Sequence, residues 1–464
     1  MTLCLGELMI VLDTTIVNVA LPSIRVDLGF SETSLVWVVN GYMLTYAGFL
    51  LLGGRMGDLY GHRLVFMLGL MAFTLASLLC GLAESQSWLI VARAIQGLGG
   101  AVVSSIALSL IVNLFPEAEE RARAMGIYGF VCAGGGSIGV LLGGLLTSAL
   151  SWHWIFLVNL PIGIAVFVLT LILVPKGAPP RADQHLDLPG AFTVTIALIL
   201  AVYAIVNGNA VGWTSTRTLA ELGGAILLLV LFIAIEARAK VPLMPLGHFA
   251  LRNVAIANIV GALWAAAMFA WFFISALYMQ LVLGYSALQV GLAFLPSNLI
   301  MAALSLGISA RLVTRFGVKR PLALGLNCAA GGLLLFAWAP VDADFVRLVL
   351  PAMVLLGLGA GIAFNPLLLA AMNDVPAEDA GLASGVINTS FMMGGALGLA
   401  VLASLAGAES QHVAESGVLS ATGTLMAGYR YAFGIGAACA EVAALLGLLL
   451  TSTPSRVDAQ AATA

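Results

Sequence analysis

Four ionisable residues interrupt stretches that are otherwise apolar: Glu7, Asp13, Arg93 and Glu441. In a bilayer such a side chain costs about 2.5–3.5 kcal/mol on insertion scales, and residues of this kind commonly serve proton relay, pairing or ligand binding. At 1.5 Å per residue, Asp13 lies ~15 Å into an outward-running helix and Arg93 ~8 Å into an inward-running one. Gln96 is one turn deeper than Arg93. Asp13 is therefore predicted near the midplane, facing the same cavity as Arg93 and Gln96.

The functional interpretation of Asp13 is that its carboxyl binds an exchangeable proton. Burial disfavours a carboxylate, a nearby arginine favours it, and a cationic ligand can take the proton's place. Arg93 would tune Asp13 or hold an anionic ligand. The alternative is a static pair or cap within the bundle, in which Thr14, Thr15 and Asn18 satisfy Asp13.

The sequence says less about the roles of the two remaining acids, Glu441 and Glu7. Glu441 lies near the middle of the last apolar stretch, and a role in proton or ligand binding stays open for it. Glu7 lies one to two turns into the first stretch. We interpret it as an interfacial acid whose side chain reaches back to water.

The composition identifies the class of protein. The 464 residues are 61% hydrophobic and 9% charged, with a mean hydropathy of +1.08. Soluble domains carry about 25% charged residues. These values exclude a water-soluble enzyme, a disordered chain and a basic nucleic-acid binder, and they predict an all-α polytopic membrane protein. The sequence contains no Walker pattern, histidine cluster or nucleophile motif. We therefore expect no cofactor, metal or enzymatic activity, and we rank a membrane enzyme or receptor low.

Fourteen segments are long and apolar enough to cross a bilayer as helices of about 20 residues. They are approximately residues 3–22, 35–54, 64–82, 88–113, 124–148, 152–174, 188–207, 218–236, 253–281, 288–310, 321–339, 347–370, 382–404 and 430–452. No basic region precedes the first segment, so a cleaved signal peptide is not expected.

Basic residues predict the orientation of these segments. Fourteen of the 19 lysines and arginines fall in alternate breaks and the C-terminal tail, four fall in the other breaks, and Arg93 lies within a segment. Positive charge favours the cytoplasmic side. Both termini are therefore expected in the cytoplasm. The break at 371–381 departs from this pattern because it carries acids and no base.

An internal repeat accompanies this layout. GGRMGDLYGHRL from Gly53 and SARLVTRFGVKRPL from Ser309 align Arg55 with Arg311 and Gly61 with Gly317. The repeat predicts a six-helix bundle (1–174), an inserted helix pair with its linkers (175–252), a second six-helix bundle (253–452) and a cytoplasmic tail (453–464). Parallel duplicated halves are a transporter architecture with a midplane site. The alternative is that basic, glycine-containing turns recur by chance.

Several motifs together resemble the major facilitator superfamily, and specifically its fourteen-helix drug–proton antiporter branch. The resemblance covers nearly the whole chain. The motifs are LDTTIVNVALP from Leu12 to Pro22, the set Gly54, Gly57, Asp58, Gly61 and Arg63, the set Arg93, Gln96, Gly97 and Gly99, WHWIFLVNLP from Trp152 to Pro161, and GLASGVINTS from Gly381 to Ser390.

The resemblance implies a major facilitator fold with 14 transmembrane helices, arranged as six, two inserted and six. It implies a monomer in the cell membrane, surrounded by lipid, that exports an amphipathic drug-like or secondary-metabolite molecule in exchange for protons and so confers antibiotic resistance. Val140 follows Gly139 where the branch has Gly-Pro. This departure leaves open a uniporter or proton symporter for a small nutrient. Phe391 and Met392 replace a basic–polar pair and predict a more apolar cavity.

The loop motif predicts a cytoplasmic gate. In the family this cluster is thought to hold the cytoplasmic side closed, and here Asp58 lies beside Arg63 with glycines that allow a tight turn. The alternative is a solvated turn worth under about 1 kcal/mol. The proposed gate residues are Gly54, Asp58, Gly61, Arg63, Arg121 and Arg123.

Polar and aromatic side chains within the spans are candidates for the substrate cavity. Trp264, Met268, Trp271 and Tyr278 share one helical face, and such a surface suits apolar cations. The alternative for this stripe is lipid contact or packing. The complete set of candidates is Asn18, Asn40, Gln96, Trp264, Met268, Trp271, Tyr278, Asn298 and Asn388.

Overall fold

The computed structural model describes residues 2–115, 117–175, 186–239, 242–244, 246–372, 374–375, 380–416 and 419–451. Regular structure within these ranges is entirely helical. The α-helices are α1 (Thr2–Leu28), α2 (Val36–Tyr60), α3 (His62–Gly81), α4 (Gln86–Leu114), α5 (Ala118–Ala149), α6 (Trp154–Leu157), α7 (Asn159–Leu173), α8 (Leu188–Val211), α9 (Thr216–Glu236), α10 (Arg252–Leu277), α11 (Ala287–Ala303), α12 (Ser309–Phe316), α13 (Lys319–Ala337), α14 (Leu350–Met372), α15 (Ala380–Glu415) and α16 (Ala421–Gly447). One 3₁₀ turn (Leu246–Ala250) and three π-helical turns (Tyr278–Val282, Leu304–Ile308 and Phe345–Val349) complete them.

The all-helical prediction is confirmed. Twelve helices of the described residues are long and apolar enough to cross a membrane. The predicted fifth and tenth spans fall on shorter apolar helices, Gly135–Ala149 and Ala287–Ala303. Helices therefore occupy the positions of all fourteen predicted spans, while fourteen crossings remain a prediction for these two.

The two loops aligned in the sequence each contain a glycine with a positive φ. Gly61, between α2 and α3, has φ 92°, and Gly317, between α12 and α13, has φ 73°. Both are conformations that glycine adopts at little cost. The repeated glycine thus ends α2 in the first loop and α12 in the second.

Helix contacts follow the same order in the first and last parts of the chain. We call α1–α7 the N-terminal set and α10–α16 the C-terminal set. In the N-terminal set, α1 packs on α5 and α7, α2 on α4, and α3 on α4 and α7. In the C-terminal set, α10 packs on α15 and α16, α11 on α14, and α13 on α14 and α16.

The two sets meet along α5 with α11 and along α2 with α15. Glycines bring the first pair together: a Cβ on Gly144 would lie 2.7 Å from the Ala287 carbonyl, and one on Gly291 would lie 2.9 Å from the Val140 carbonyl. At the second contact, Asn40 Nδ2 donates to the Ala396 carbonyl at 2.9 Å. α5 therefore packs closely against α11 through glycines, although Val140 stands in place of a proline.

The inserted helices lie to one side of this arrangement. α8 packs on both α2 and α15, where Asn209 Nδ2 donates to the Ser404 carbonyl at 2.7 Å. α9 packs on α8 and exposes large apolar side chains, including Ile226 and Leu227. So extended an apolar surface is suited to lipid rather than water. The chain is a multi-pass membrane protein.

Candidate functional site

Asp13 and Arg93 form an ion pair in the interior of the N-terminal set. Arg93 Nη1 donates to Asp13 Oδ2 at 2.5 Å, and the side chains of Arg93 and Asp13 are 1% and 0% exposed respectively. The two residues come from α1 and α4. A buried charge is tolerated when it is paired and hydrogen-bonded, and both conditions are met here.

Gln96 joins the pair from the next turn of α4. Its Oε1 accepts from Arg93 Nη1 at 2.6 Å, while its Nε2 donates to Asp13 Oδ1 at 2.7 Å and to Ser77 Oγ at 2.8 Å. Residues three apart on a helix face the same way. The spacing of Arg93 and Gln96 thus lets one stretch of α4 hold both oxygens of Asp13.

Two members of this cluster were not predicted from the sequence. Asn159, at the start of α7, donates from Nδ2 to Asp13 Oδ1 at 3.0 Å. Ser77 on α3 accepts from Gln96 and lies 3.5 Å from Asn159 Nδ2. The signal for Asn159 was present, because it lies within the motif WHWIFLVNLP. We call Asp13, Arg93, Gln96, Ser77 and Asn159 the acid cluster.

Further contacts fix the guanidinium of Arg93. Its Nε donates to the Val38 carbonyl at 2.9 Å. Its Cζ lies 4.5 Å from the centre of the Tyr42 ring and 5.6 Å from that of Phe156. Aromatic faces attract cations at such distances. Arg93 is thereby bound to α1 and α2 and packed against Phe156 of α6.

The surroundings of Asp13 correct two expectations. Its partners among the described residues all belong to the N-terminal set and its side chain is wholly buried, so in this structure it does not face a cavity open to substrate. The expected local partners are also wrong. Thr14 and Thr15 donate to the Val11 carbonyl, and Asn18 donates to the Thr14 carbonyl, all within α1. The rotation of α1 places Asp13 against α4 and α7, and a hydropathy pattern does not define this rotation.

Glu7 is also not where we expected it. It is 6% exposed, and its Oε2 accepts from Ser104 Oγ of α4 at 2.9 Å. The interpretation as an acid reaching to water is wrong, because this carboxyl points into the helix bundle. Glu441 is half-buried on α16, outside the acid cluster.

The aromatic candidates on α10 and on the π-helical turn that follows it lie inside the C-terminal set. Trp264, Trp271 and Tyr278 are almost fully buried, and Met268 is half-buried. The Trp271 ring lies 4.3 Å from that of Phe272, centre to centre. Tyr278 donates to the Pro340 carbonyl at 3.0 Å. These contacts are those of packed side chains.

Several buried polar atoms have no hydrogen-bond partner among the described residues. They include the indole nitrogens of Trp264 and Trp271 and the amide nitrogen of Asn298. Asn40 bridges α2 and α15 through its Nδ2. Its Oδ1 also has no hydrogen-bond partner among the described residues. Asn388 is half-buried and donates to the Ser384 carbonyl of its own helix at 2.9 Å.

An aromatic group that sequence analysis did not assemble lies on three helices of the C-terminal set. Phe391 of α15 has ring centres at 6.1 Å from Phe269 of α10 and 5.9 Å from Phe364 of α14. Phe364 is 41% exposed although it is on a core helix. Phe391 is one of the two residues from which we expected a more apolar cavity. We call these residues the phenylalanine triad.

The structure describes only some of the residues of the predicted cytoplasmic gate. Asp58 Oδ1 lies 3.3 Å from His62 Nε2, one turn along the chain, and Arg63 Nη2 donates to the Leu171 carbonyl at 2.8 Å. Gly57 packs against Ile106 of α4, where a Cβ would clash. Gly54 is half-buried. The side chains of Arg121 and Arg123 lie outside the described residues.

Comparison with known proteins gives concordant results. Residues 3–399 match the family model of the Major Facilitator Superfamily. The chain is 42% identical over 410 residues to the cephamycin export protein CmcT of Amycolatopsis lactamdurans, covering 87% of this chain and 84% of that protein. It is 39% identical over 415 residues to the puromycin resistance protein pur8 of Streptomyces alboniger, covering 89% and 82%.

Solved structures support the same fold. A bacterial homologue of the human lysosomal transporter Spinster, in an inward-facing and occupied conformation, aligns with a TM-score of 0.69 at 15% identity. That alignment covers 98% of this chain and 96% of the other. An auto-inhibited POT family peptide transporter aligns with a TM-score of 0.69 at 18% identity, covering 97% and 96%. At such identities the likeness concerns the fold alone.

Proposed function

The chain belongs to the major facilitator superfamily, and we propose that it exports a drug-like or secondary-metabolite small molecule across the cell membrane in exchange for protons. The relatives named for cephamycin export and puromycin resistance support export of such molecules. The acid cluster is the single observation that carries proton exchange. It holds a titratable carboxyl near the middle of a membrane helix, where charge is expensive and is retained for function.

The geometry favours an indirect form of coupling. The Asp13 side chain is 0% exposed, so a substrate does not replace its proton by touching it in this state. Protonation of Asp13 would leave Arg93 as a buried charge without its partner. Removing one partner of a buried ion pair costs about 3–5 kcal/mol. That cost is enough to favour another arrangement of α1 against α4 and α7, and so another conformation of the transporter.

We infer that the N-terminal and C-terminal sets are the two halves of an alternating-access carrier acting as a monomer in lipid, with both termini in the cytoplasm. The repeated order of helix contacts supports two related six-helix bundles. The positive φ shared by the aligned glycines Gly61 and Gly317 supports it independently. α8 and α9 form the inserted pair beside them. In this fold class the substrate site lies between the halves near the midplane.

The phenylalanine triad is the proposed contact surface for an amphipathic substrate. Its exposed member, Phe364, lies beside rings that are themselves packed, so the surface is both apolar and held in place. Asn388 lies one turn from Phe391 on α15 and offers a polar group next to it. Aromatic faces suit apolar cations through stacking and cation–π contact.

The test is drug accumulation in cells that express the chain. Cells are loaded with ethidium or puromycin with and without an uncoupler, and retention is compared with that of cells expressing Asp13→Asn. We expect the wild type to lower retention only while the proton gradient stands, and Asp13→Asn to lose this effect. Gradient-dependent export by Asp13→Asn at the wild-type level would remove Asp13 from the mechanism.

One observation favours a second candidate, a uniporter or proton symporter for a small nutrient. Val140 stands where the antiporter branch has proline, and α5 continues unbroken through it to Ala149. Proteoliposomes containing a pH-sensitive dye distinguish the candidates. Antiport moves protons opposite to ethidium, symport moves them with the solute, and uniport moves none.

A further inference from the structure

Three residues four positions apart on α4 each meet a polar group from a neighbouring helix. Gln96 binds Asp13 of α1. Gly100 faces the hydroxyl of Tyr42 from α2, which would lie 2.8 Å from a Cβ at that position. Ser104 binds Glu7 of α1. Residues at this spacing share a helical face and lie ~6 Å apart along the axis, so the three contacts lie in one file along α4.

The carboxyl at the end of this file lies in an uncharged setting. Ser104 donates to Glu7 at 2.9 Å and Tyr128 of α5 also hydrogen-bonds to it. The other titratable groups near it are Cys4 on α1 and Tyr42 on α2. Among the described residues no lysine or arginine forms an ion pair with Glu7. A buried carboxyl that has hydrogen-bond partners but no nearby cation has a lower free energy as the neutral acid than as the carboxylate.

The middle position is occupied by a hydroxyl without an assigned role. The Tyr42 side chain is 1% exposed, and its hydroxyl has no hydrogen-bond partner among the described residues. A buried, unpaired hydroxyl costs about 1–3 kcal/mol. The same ring contacts the guanidinium of Arg93 at 4.5 Å. Tyr42 therefore lies next to the acid cluster and on the way to Glu7.

We propose that Glu7 is a second proton-binding residue of the transporter, which receives the proton that Asp13 releases and passes it towards the cytoplasmic end of the bundle. Glu7 is six residues nearer the start of α1, a rise of ~9 Å. In the transfer an O–H bond breaks at Asp13 and one forms at Glu7. The Tyr42 hydroxyl relays the proton once a movement of the helices brings it within hydrogen-bonding distance of the two carboxyls. It then donates its own proton as it accepts another, so the total charge is unchanged. The inference rests on the proposed function, since it assumes proton coupling.

The structure corresponds to one end of this transfer. Asp13 is paired with Arg93, and Glu7 lies without a cation. The charges are thus placed as expected after the proton has reached Glu7. Glu7→Gln keeps the size and hydrogen bonding of the neutral acid. It therefore removes the exchangeable carboxyl proton and leaves the packing around residue 7 unchanged.

The first experiment asks whether Glu7 carries a proton, independently of any substrate. Infrared difference spectra of the purified full chain are recorded through a pH titration for wild type, Glu7→Gln and the matched control Glu441→Gln. We expect a protonated-carboxyl carbonyl band that is absent in Glu7→Gln and retained in Glu441→Gln. Identical spectra for wild type and Glu7→Gln overturn the proposal.

The second experiment asks whether that proton is used. Proteoliposomes are tested for ethidium and puromycin accumulation driven by a pH gradient, and for downhill movement without one. We expect Glu7→Gln to lose gradient-driven accumulation by about 100-fold, the lower range for a positioned acid–base group, with downhill movement unchanged. Glu7→Asp should recover part of the loss. A Glu7→Gln protein that accumulates like wild type, or that loses downhill movement equally, contradicts the relay.

The two proposals fail in different ways. If wild-type accumulation ignores the pH gradient, proton exchange itself is wrong. If wild type responds to the gradient and Glu7→Gln responds equally, only the relay is wrong.

Discussion

Gln96 and Asn159 donate to the same oxygen of Asp13, at 2.7 and 3.0 Å, from α4 and α7. The other oxygen of that carboxylate faces Arg93. Asp13 is thus held from two helices besides its own. A change in its charge acts on the packing of α1, α4 and α7 together, which is the physical basis of the predictions that follow.

Asp13→Asn should abolish gradient-driven export while the protein still reaches the membrane. It should also destabilise the fold by about 3–5 kcal/mol, because Arg93 remains as an unpaired buried charge. The double variant Asp13→Asn/Arg93→Gln should recover stability but not export. Thermal unfolding in detergent and the uncoupler assay measure the two effects separately. Export by the double variant would argue that the pair is only structural.

Asn159→Ala should weaken the acid cluster without removing its charges. Losing this donor is expected to cost about 1–3 kcal/mol, as for other buried hydrogen-bonding groups. The matched control is Asn327→Ala on α13, whose exposed amide donates only to the Ala323 carbonyl of its own helix. Thermal unfolding should separate the two variants. Equal stability of both would show that Asn159 contributes little to holding Asp13.

Asp58→Asn should slow turnover more than it weakens substrate binding. The carboxyl contacts His62 at the turn between α2 and α3, so its loss should disturb a conformational step rather than the cavity. Initial rates of ethidium transport over a range of concentrations separate kcat from KM. Unchanged transport would identify this loop as an ordinary solvated turn.

Phe391→Ala should change the range of transported compounds, whereas Trp271→Ala should mainly reduce stability. Phe391 bridges two other rings, one of them exposed. Trp271 is 1% exposed, and truncation of a buried tryptophan costs about 3–5 kcal/mol. A resistance panel with a thermal unfolding measurement tests both. A shifted substrate range in Trp271→Ala, at normal stability, would show that Trp271 lines the substrate cavity.

The loop between α1 and α2 should make stability depend on pH. Burial raises the pKa of Glu32, and its partner Arg25, at 3.2 Å, only partly offsets this. The folded chain therefore binds this proton more tightly than the unfolded chain. Its contribution to stability is present at low pH and is lost as the pH rises from the ordinary carboxyl value through the raised pKa.

Glu32→Gln should remove this dependence, and the exposed Glu84→Gln should not. The measurement is thermal unfolding in detergent across the acidic range. A wild-type profile that coincides with that of Glu32→Gln would show that Glu32 is solvated at this surface.

Composition and hydropathy sufficed to predict an all-helical membrane protein and the positions of its helices, because apolar length and loop charge are local properties of the chain. The fixed rise per residue also placed Asp13, Arg93 and Gln96 close enough in depth to meet, and the three side chains are in contact. The aligned turn glycines were visible for the same reason, because a positive φ restricts the residue type locally.

Only the tertiary structure decided which way these side chains face. Depth along a helix does not determine rotation about its axis, so Asp13 was expected in an open cavity and lies in a sealed cluster. Glu7 was expected at the interface and lies against Ser104. Ser77 and Asn159 reach the acid cluster from helices distant in the sequence, 64 and 146 residues from Asp13. Such contacts depend on how all the helices pack together, and no local pattern records them.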